Sequence, residues 1–126
     1  YYNFENATTG AFALQFSGSN TFNNFHIDAS AAARTVLFTA GTTTTVASMT
    51  RDAGTNVITI GSITASSHTL TKTGGALIIP LANVSVSWST ATPSGIFFAL
   101  PAGSTDGGNN SGWTFGSPTA KLVAIP

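Results

Sequence analysis

The chain has 126 residues, 42% of them hydrophobic, which is the length of one domain and enough apolar side chain for one core. Only 6% are charged, Arg34, Arg51, Lys72 and Lys121 against Glu5, Asp28, Asp52 and Asp106. That balance excludes the charge-rich, apolar-poor composition of a disordered chain, and four scattered cations are too few to hold a phosphate backbone, so no nucleic-acid partner is expected. There is no cysteine for a disulfide or thiolate site, and no apolar run nears the roughly 18 residues of a membrane helix, so no membrane insertion is expected. The first residues carry neither an initiator Met nor a signal-peptide pattern, as expected of a processed or partly observed product.

Taken in chain order, the hydrophobic period is two almost throughout. Tyr1, Tyr2 and Phe4 open the chain. Phe12, Leu14 and Phe16 alternate with small or polar residues, and Asn24-Phe25-His26-Ile27 follows. Ala29 to Arg34 is the one helix-like patch, about six residues and too short to nucleate by itself. Val36 and Phe38 precede Gly41-Thr42-Thr43-Thr44-Thr45-Val46, a β-branched run that a helix disfavours. Ile58 with Ile60, Leu77 with Ile79, and Val84 with Val86 and Trp88 continue the alternation. Pro93, Ser94 and Gly95 break the chain, Ile96 to Leu100 reads as one more strand, and Pro101 to Gly112 reads as a loop rich in turn residues. Trp113-Thr114-Phe115 is a short aromatic strand, and Lys121 to Ile125 a terminal strand or extended arm.

Two tracks share one period. Leu14/Phe16, Val36/Phe38 and Ile58/Ile60 follow one another at steps of 22 residues, and Asn3-Phe4, Asn24 to Ile27, Val46 to Met49 and Thr69-Leu70 fall between them at steps of about 21 to 24. Such tracks describe a chain wound in coils that stack like strands around a buried interior column. The expected fold is therefore all-β, a short β-solenoid of the parallel β-helix type with a C-terminal capping loop and strand. Gly10, Gly18, Gly41, Gly54 and Gly61 are expected to mark its corners. The alternative is a β-sandwich or jelly roll, which also places strands every 8 to 12 residues with turn signals between them. Either way residues 1–126 form one domain: repeat coils over 1–92, a break, loop and cap over 93–115, and a C-terminal arm over 116–126.

Chemistry-bearing residues are sparse. Asp28 and Asp52 are 24 residues apart, so one coil per period sets them on neighbouring rungs, but each adjoins turn residues and is expected to accept backbone N–H groups rather than to catalyse. His26 alternates with Phe25 and Ile27 and should point outward; His68 begins a strand, an ordinary surface or hydrogen-bonded histidine. In Asp106-Gly107-Gly108-Asn109-Asn110 one carboxylate is too little for a calcium site, and a tight capping loop is expected. No nucleophile elbow or phosphate loop occurs. The expectation is a protein that is not an enzyme and uses no cofactor or metal. Most aromatic rings share the register of the aliphatic residues and belong to the core. Tyr1 and Tyr2 are the better candidates for a subunit contact, and Trp88 or the Tyr pair for a glycan platform.

Three stretches resemble the repeat segments of right-handed β-helix-like proteins of bacterial surfaces and phage virions: Ser17 to Phe25, Arg34 to Val46, and, most distinctively, Gly103-Ser104-Thr105-Asp106-Gly107-Gly108-Asn109-Asn110-Ser111-Gly112-Trp113. The resemblance covers about half the chain; it departs over Thr64 to Ala91, where Pro80 and Leu77-Ile78-Ile79 interrupt the coil pattern, and beyond Phe115. It implies scaffolding without catalytic residues. The expected role is a structural protein of a virion surface, as a capsid decoration or fibre component, assembled as a homo-oligomer, with a trimer expected, and touching other virion or surface proteins. The alternative is a glycan-binding adhesin module, extracellular on a bacterial surface.

Overall fold

The computed structural model describes residues 2–6, 13–75 and 77–118. Among them there is no helix; Ala29 to Arg34, the helix-like patch, is a bend leading into a strand. Strands numbered in chain order stack in three all-parallel sheets. The first contains β1 (Tyr2–Glu5), β3 (Asn20–Ile27), β5 (Thr43–Arg51), β7 (His68–Lys72) and β10 (Ser89–Thr92). The second contains β2 (Ala13–Phe16), β4 (Arg34–Phe38), β6 (Ile58–Ser62), β9 (Val84–Ser87) and β12 (Thr105–Gly108). The third contains β8 (Ile79–Leu81), β11 (Phe97–Ala99) and β13 (Thr114–Phe115). Each sheet collects strands from successive passes of the chain, which is the topology of a β-solenoid and not of a sandwich.

Alternation explains the winding. Val36, Phe38, Ile58, Ile60, Val84 and Val86 from the second sheet meet Phe25, Ile27, Val46, Met49 and Leu70 from the first in one interior column. Each fully buried aliphatic or aromatic side chain contributes about 1.5–3 kcal/mol. Leu14 pairs with Val36 and Phe16 with Phe38, the 22-residue step read from the sequence. The next step is 24: Val36 pairs with Ile60, and Ile58 lies opposite Arg34. A slip of two residues keeps every side chain on its face, so the inward pattern survives while the partners change. The extra residues enter at the corner from the second sheet to the first. Phe16 to Asn20, Phe38 to Thr44 and Ser62 to Leu70 are equivalent spans on successive coils, each two residues longer than the last.

Midway the cross-section changes from two faces to three. The first half of β5 pairs with β7, from Thr43 with Thr69 to Val46 with Lys72. β7 ends at Lys72, Leu77 is 82% exposed, and β8 comes back beside β5. The Leu77-Ile78-Ile79 stretch therefore marks where one long strand becomes two short ones. Coiling continues through the stretch that reads as a loop: residues 105–108 form β12 and Ser111 bridges Thr90. This segment looks like a loop because Gly and Asp carry no strand preference, whereas the ladder to β9 holds it extended.

Other expectations meet the structure at single residues. Gly18 and Gly41 are corners with positive φ; Gly61 is not a corner but a buried strand residue packed against Ser87 and Leu37. Gly10 and the arm from Lys121 to Ile125 lie outside the described residues. Trp113 closes the late coils: it is buried against Phe97, ring centroids 5.4 Å apart, and its indole Nε1 donates to Ser89 Oγ at 3.0 Å. The preceding Gly112 has φ +78°, and a Cβ there would collide with the Ala91 carbonyl oxygen, so only glycine brings Trp113 into place.

At the other end Phe4, Phe16, Phe22, Phe25 and Phe38 form a continuous ring cluster. Phe4 stacks on Phe25 at 5.2 Å and Phe16 on Phe38 at 5.4 Å. Phe25 is fully buried while Phe4 lies at the rim. Phe25→Ala is expected to destabilise the fold by about 3–5 kcal/mol, and Phe4→Ala by distinctly less. Urea unfolding of the two variants checks the ranking.

Candidate functional site

Polar side chains gather at the corners, where backbone groups leave the ladders and need other partners. One corner carries Asn6, Asp28 and Asp52 on successive coils. Asn6 Oδ1 accepts from Asp28 N–H at 2.7 Å and its Nδ2 donates to the Asp28 carbonyl at 3.0 Å. Asp52 Oδ1 accepts from Ala29 N–H at 2.7 Å, tying its coil to the one before. Within their own turns Asp28 Oδ1 accepts from Ser30 N–H at 2.8 Å, and Asp52 Oδ2 from Gly54 N–H at 2.9 Å. Both aspartates thus make the turn contacts expected of them.

The electrostatics of the corner follow. Hydrogen bonds from the Ser30 side chain and amide hold the Asp28 carboxyl below its ordinary value. Burial alone would raise Asp52; the amides of Ala29 and Gly54 and the Arg51 guanidinium outweigh it and hold that carboxyl low as well. Arg51 Nη2 lies 3.2 Å from Asp52 Oδ1, and its Nη1 donates to the carbonyls of Ala82 and Asn83, where the chain enters the next coil. Arg34, 2% exposed, donates from Nε to the Asp28 carbonyl at 3.2 Å. These cations act as corner braces.

The Asp106 loop is occupied in the same way. Asp106 Oδ1 accepts from Gly108 N–H at 2.9 Å and from Asn110 Nδ2 at 2.8 Å. Asn110, expected only as part of that capping loop, does more: Oδ1 accepts from Ser89 N–H at 3.0 Å, and Nδ2 also donates to the Val86 carbonyl at 2.7 Å. Its only sequence signal is its place in a Gly/Asn stretch; the partners come from the coil before. Among the described residues no three His, Asp or Glu side chains come together.

The histidines diverge. His26 Nδ1 lies 2.8 Å from Thr50 Oγ1 on the outer face, as the alternation required. His68 differs from the surface or hydrogen-bonded residue expected of it. It is 1% exposed, stacked on Phe38 with centroids 4.6 Å apart, and neither ring nitrogen has a hydrogen-bond partner. The sequence signal misleads because His68 follows two serines, while the register places it inward with Leu70 and Lys72. Burial in this apolar setting pushes its pKa down to about 4.

Of the aromatic candidates, Tyr1 lies outside the described residues, and Tyr2 stands in edge strand β1 opposite Phe22. Trp88 does not continue the β9 alternation: it turns the corner into β10 with φ 53°, half-buried, its N–H donating to the Gly108 carbonyl at 3.1 Å. β1 and β10 are the two outermost strands of the first sheet, so the backbone at Tyr2 and the start of β10 beside Trp88 stand about 19 Å apart along the axis, four strand spacings.

Fold and corners together define a parallel β-solenoid whose polar side chains serve the coil-to-coil joints, with an aromatic cluster at one end and an indole-capped stack towards the other. No family model, curated protein or solved structure matches the chain.

Two outcomes follow. His68 is neutral in the fold, whereas unfolded histidine takes up a proton below about pH 6.5. Its contribution is therefore complete above that pH and is lost as pH falls toward 4, a loss of about 3 kcal/mol. Asp28 and Asp52, with lowered pKa, extend the loss further into acid. Urea midpoints between pH 7 and pH 4 should fall steeply in the native chain and only shallowly in His68→Phe. Asn110→Ala leaves Ser89 N–H and the Val86 carbonyl without their partner and should cost about 1–3 kcal/mol at neutral pH, read from thermal unfolding.

Proposed function

We propose that the chain is a non-enzymatic structural module of a virion surface, a capsid decoration or fibre component that works through contacts with further copies and with neighbouring virion proteins. The observation carrying this reading is the aromatic end of the stack. β1 and β2 are each the outermost strand of their sheet, paired on one side only among the described residues. Beside them Phe4, Leu14, Phe16 and Phe22 are only partly buried. A strand edge of this kind offers backbone N–H and C=O groups along the solenoid axis, and a partner that continues the ladder would satisfy them while covering the rings.

The Asp52 carboxylate and the Arg51 guanidinium support the same reading, since each is engaged in a joint with a neighbouring coil. A neutral surface of Thr, Ser and Asn suits packing into a larger assembly, because no net self-repulsion opposes it. The test is sedimentation mass of the purified chain before and after mixing with particles from its source. A homo-oligomer, expected to be a trimer, that joins the particles supports the proposal. A monomer that ignores them and is retained on a polysaccharide column overturns it and points to the glycan-binding module, with loss of retention in Trp88→Ala locating the platform.

A further inference from the structure

The outer face of the first sheet carries hydroxyl groups in two adjacent ranks. Thr43, Thr69 and Thr90 occupy one position on three consecutive coils, and Thr45, Thr71 and Thr92 occupy the position two residues along the same strands. Thr21 extends the second rank by pairing with Thr45. Ser19, whose Oγ accepts from Thr43 N–H at 3.0 Å, and Ser111, bridged to Thr90, extend the first. No bulge interrupts the pairing of these residues.

The pairing sets a two-dimensional net. Coils repeat at about 4.8 Å along the axis, and alternate residues at about 6.6 Å along a strand. β-branching leaves threonine few χ1 choices, so hydroxyl and methyl positions are largely fixed in advance. Thr71 Oγ1 and Thr92 Oγ1 are 2.6 Å apart, linking neighbouring coils. No charged residue stands in the net.

Strand stability accounts for one such rank. On the second sheet Thr35, Thr59, Ser85 and Thr105 also stack, and β-propensity with cross-strand hydroxyl pairing explains them. The rank beside them there is Leu37, Gly61 and Ser87, with no regularity of chemistry. On the first sheet both ranks are threonine on the same three coils, which stability does not demand.

We infer that this face binds ice, the ligand being the oxygen lattice of the hexagonal crystal. A repetitive outer face without a recess favours a repetitive partner, and the coil repeat of the net lies close to an oxygen–oxygen repeat of that lattice. Methyl groups order the water between the ranks and hydroxyls join it, so the face holds an ice-like layer before contact. Each contact is weak; fixed side chains and simultaneous engagement make the sum appreciable. Charged side chains, whose hydration shells resist such ordering, are absent from the net. A crystalline polysaccharide is the other repetitive partner, but sugar rings are gripped by stacking on aromatic side chains, and neither rank contains one. The inference stands apart from the assembly reading above.

The test is partition of the purified chain into slowly growing ice, with inhibition of ice recrystallisation as a second readout. Thr71→Tyr and Thr69→Lys each intrude into the net at half-buried, outward positions; Thr59→Tyr makes a matching intrusion on the other sheet. Urea midpoints identify variants that remain folded. The native chain and Thr59→Tyr should be enriched in ice, and the folded variants at Thr69 or Thr71 should lose at least tenfold in recrystallisation inhibition. Rejection of the native chain by ice overturns the inference, as does an equal loss in Thr59→Tyr. Retention on crystalline chitin or cellulose without enrichment in ice also overturns it and reassigns the face.

Discussion

The backbone ladder between coils is the constraint from which the remaining features follow. Every described strand pairs in parallel with a strand one turn away, so the stack is held by hydrogen bonds that run along its axis. Parallel pairing places like positions directly over one another, and a residue type that suits one coil tends to suit the next. The ranks of phenylalanine, threonine and corner Asn or Asp are three results of that geometry. It also leaves β1 and β2 without a partner on their outer side, and gives the third sheet an edge at β8 in mid-stack, among the described residues.

Corners are where the ladder is interrupted, and the chain supplies their polar groups from side chains instead of from charge pairs in solvent. Asn6, Asp52 and Asn110 each complete a neighbouring coil's backbone, Arg51 reaches carbonyls of the next coil in the same way, and Arg34 braces the Asp28 carbonyl of its own corner. In a chain with 6% charged residues, Asp52 and Arg51 are placed in such joints, where a charge-assisted hydrogen bond is worth more than an exposed ion pair. His68 is the exception. It fills interior space beside Phe38 without any polar partner and gives the fold a sensitivity to acid that its composition alone would not disclose.

The solenoid was legible because its signal is periodic: Leu14/Phe16 over Val36/Phe38 is visible as a 22-residue step, and the pairing follows it. The later coils were less legible for a physical reason. Once β7 has ended and β8 begins, each turn has three short strands, and three-residue strands such as Ile79–Leu81 hold too few alternations to show a period. β12, written in Thr, Asp and Gly, has no hydrophobic alternation at all and is a strand only because β9 lies beside it. The turn roles of Asp28, Asp52 and Asp106 could be read from neighbouring Gly and Ser, since an Asx turn is local. The cross-coil roles of Asn6 and Asn110 could not, since their partners are about 20 residues away.

What the amino-acid sequence determined by itself was the class of structure: β-branched and aromatic residues at period two, recurring every 20-odd positions, exclude helices and require a buried column fed from successive turns. Tertiary structure alone decided the register. The change from a 22- to a 24-residue step, the burial of His68, the departure of Trp88 from the interior and the alignment of two threonine ranks all depend on how many residues each corner takes up. Corner length is set by hydrogen bonds between coils, and those form only when the coils are stacked.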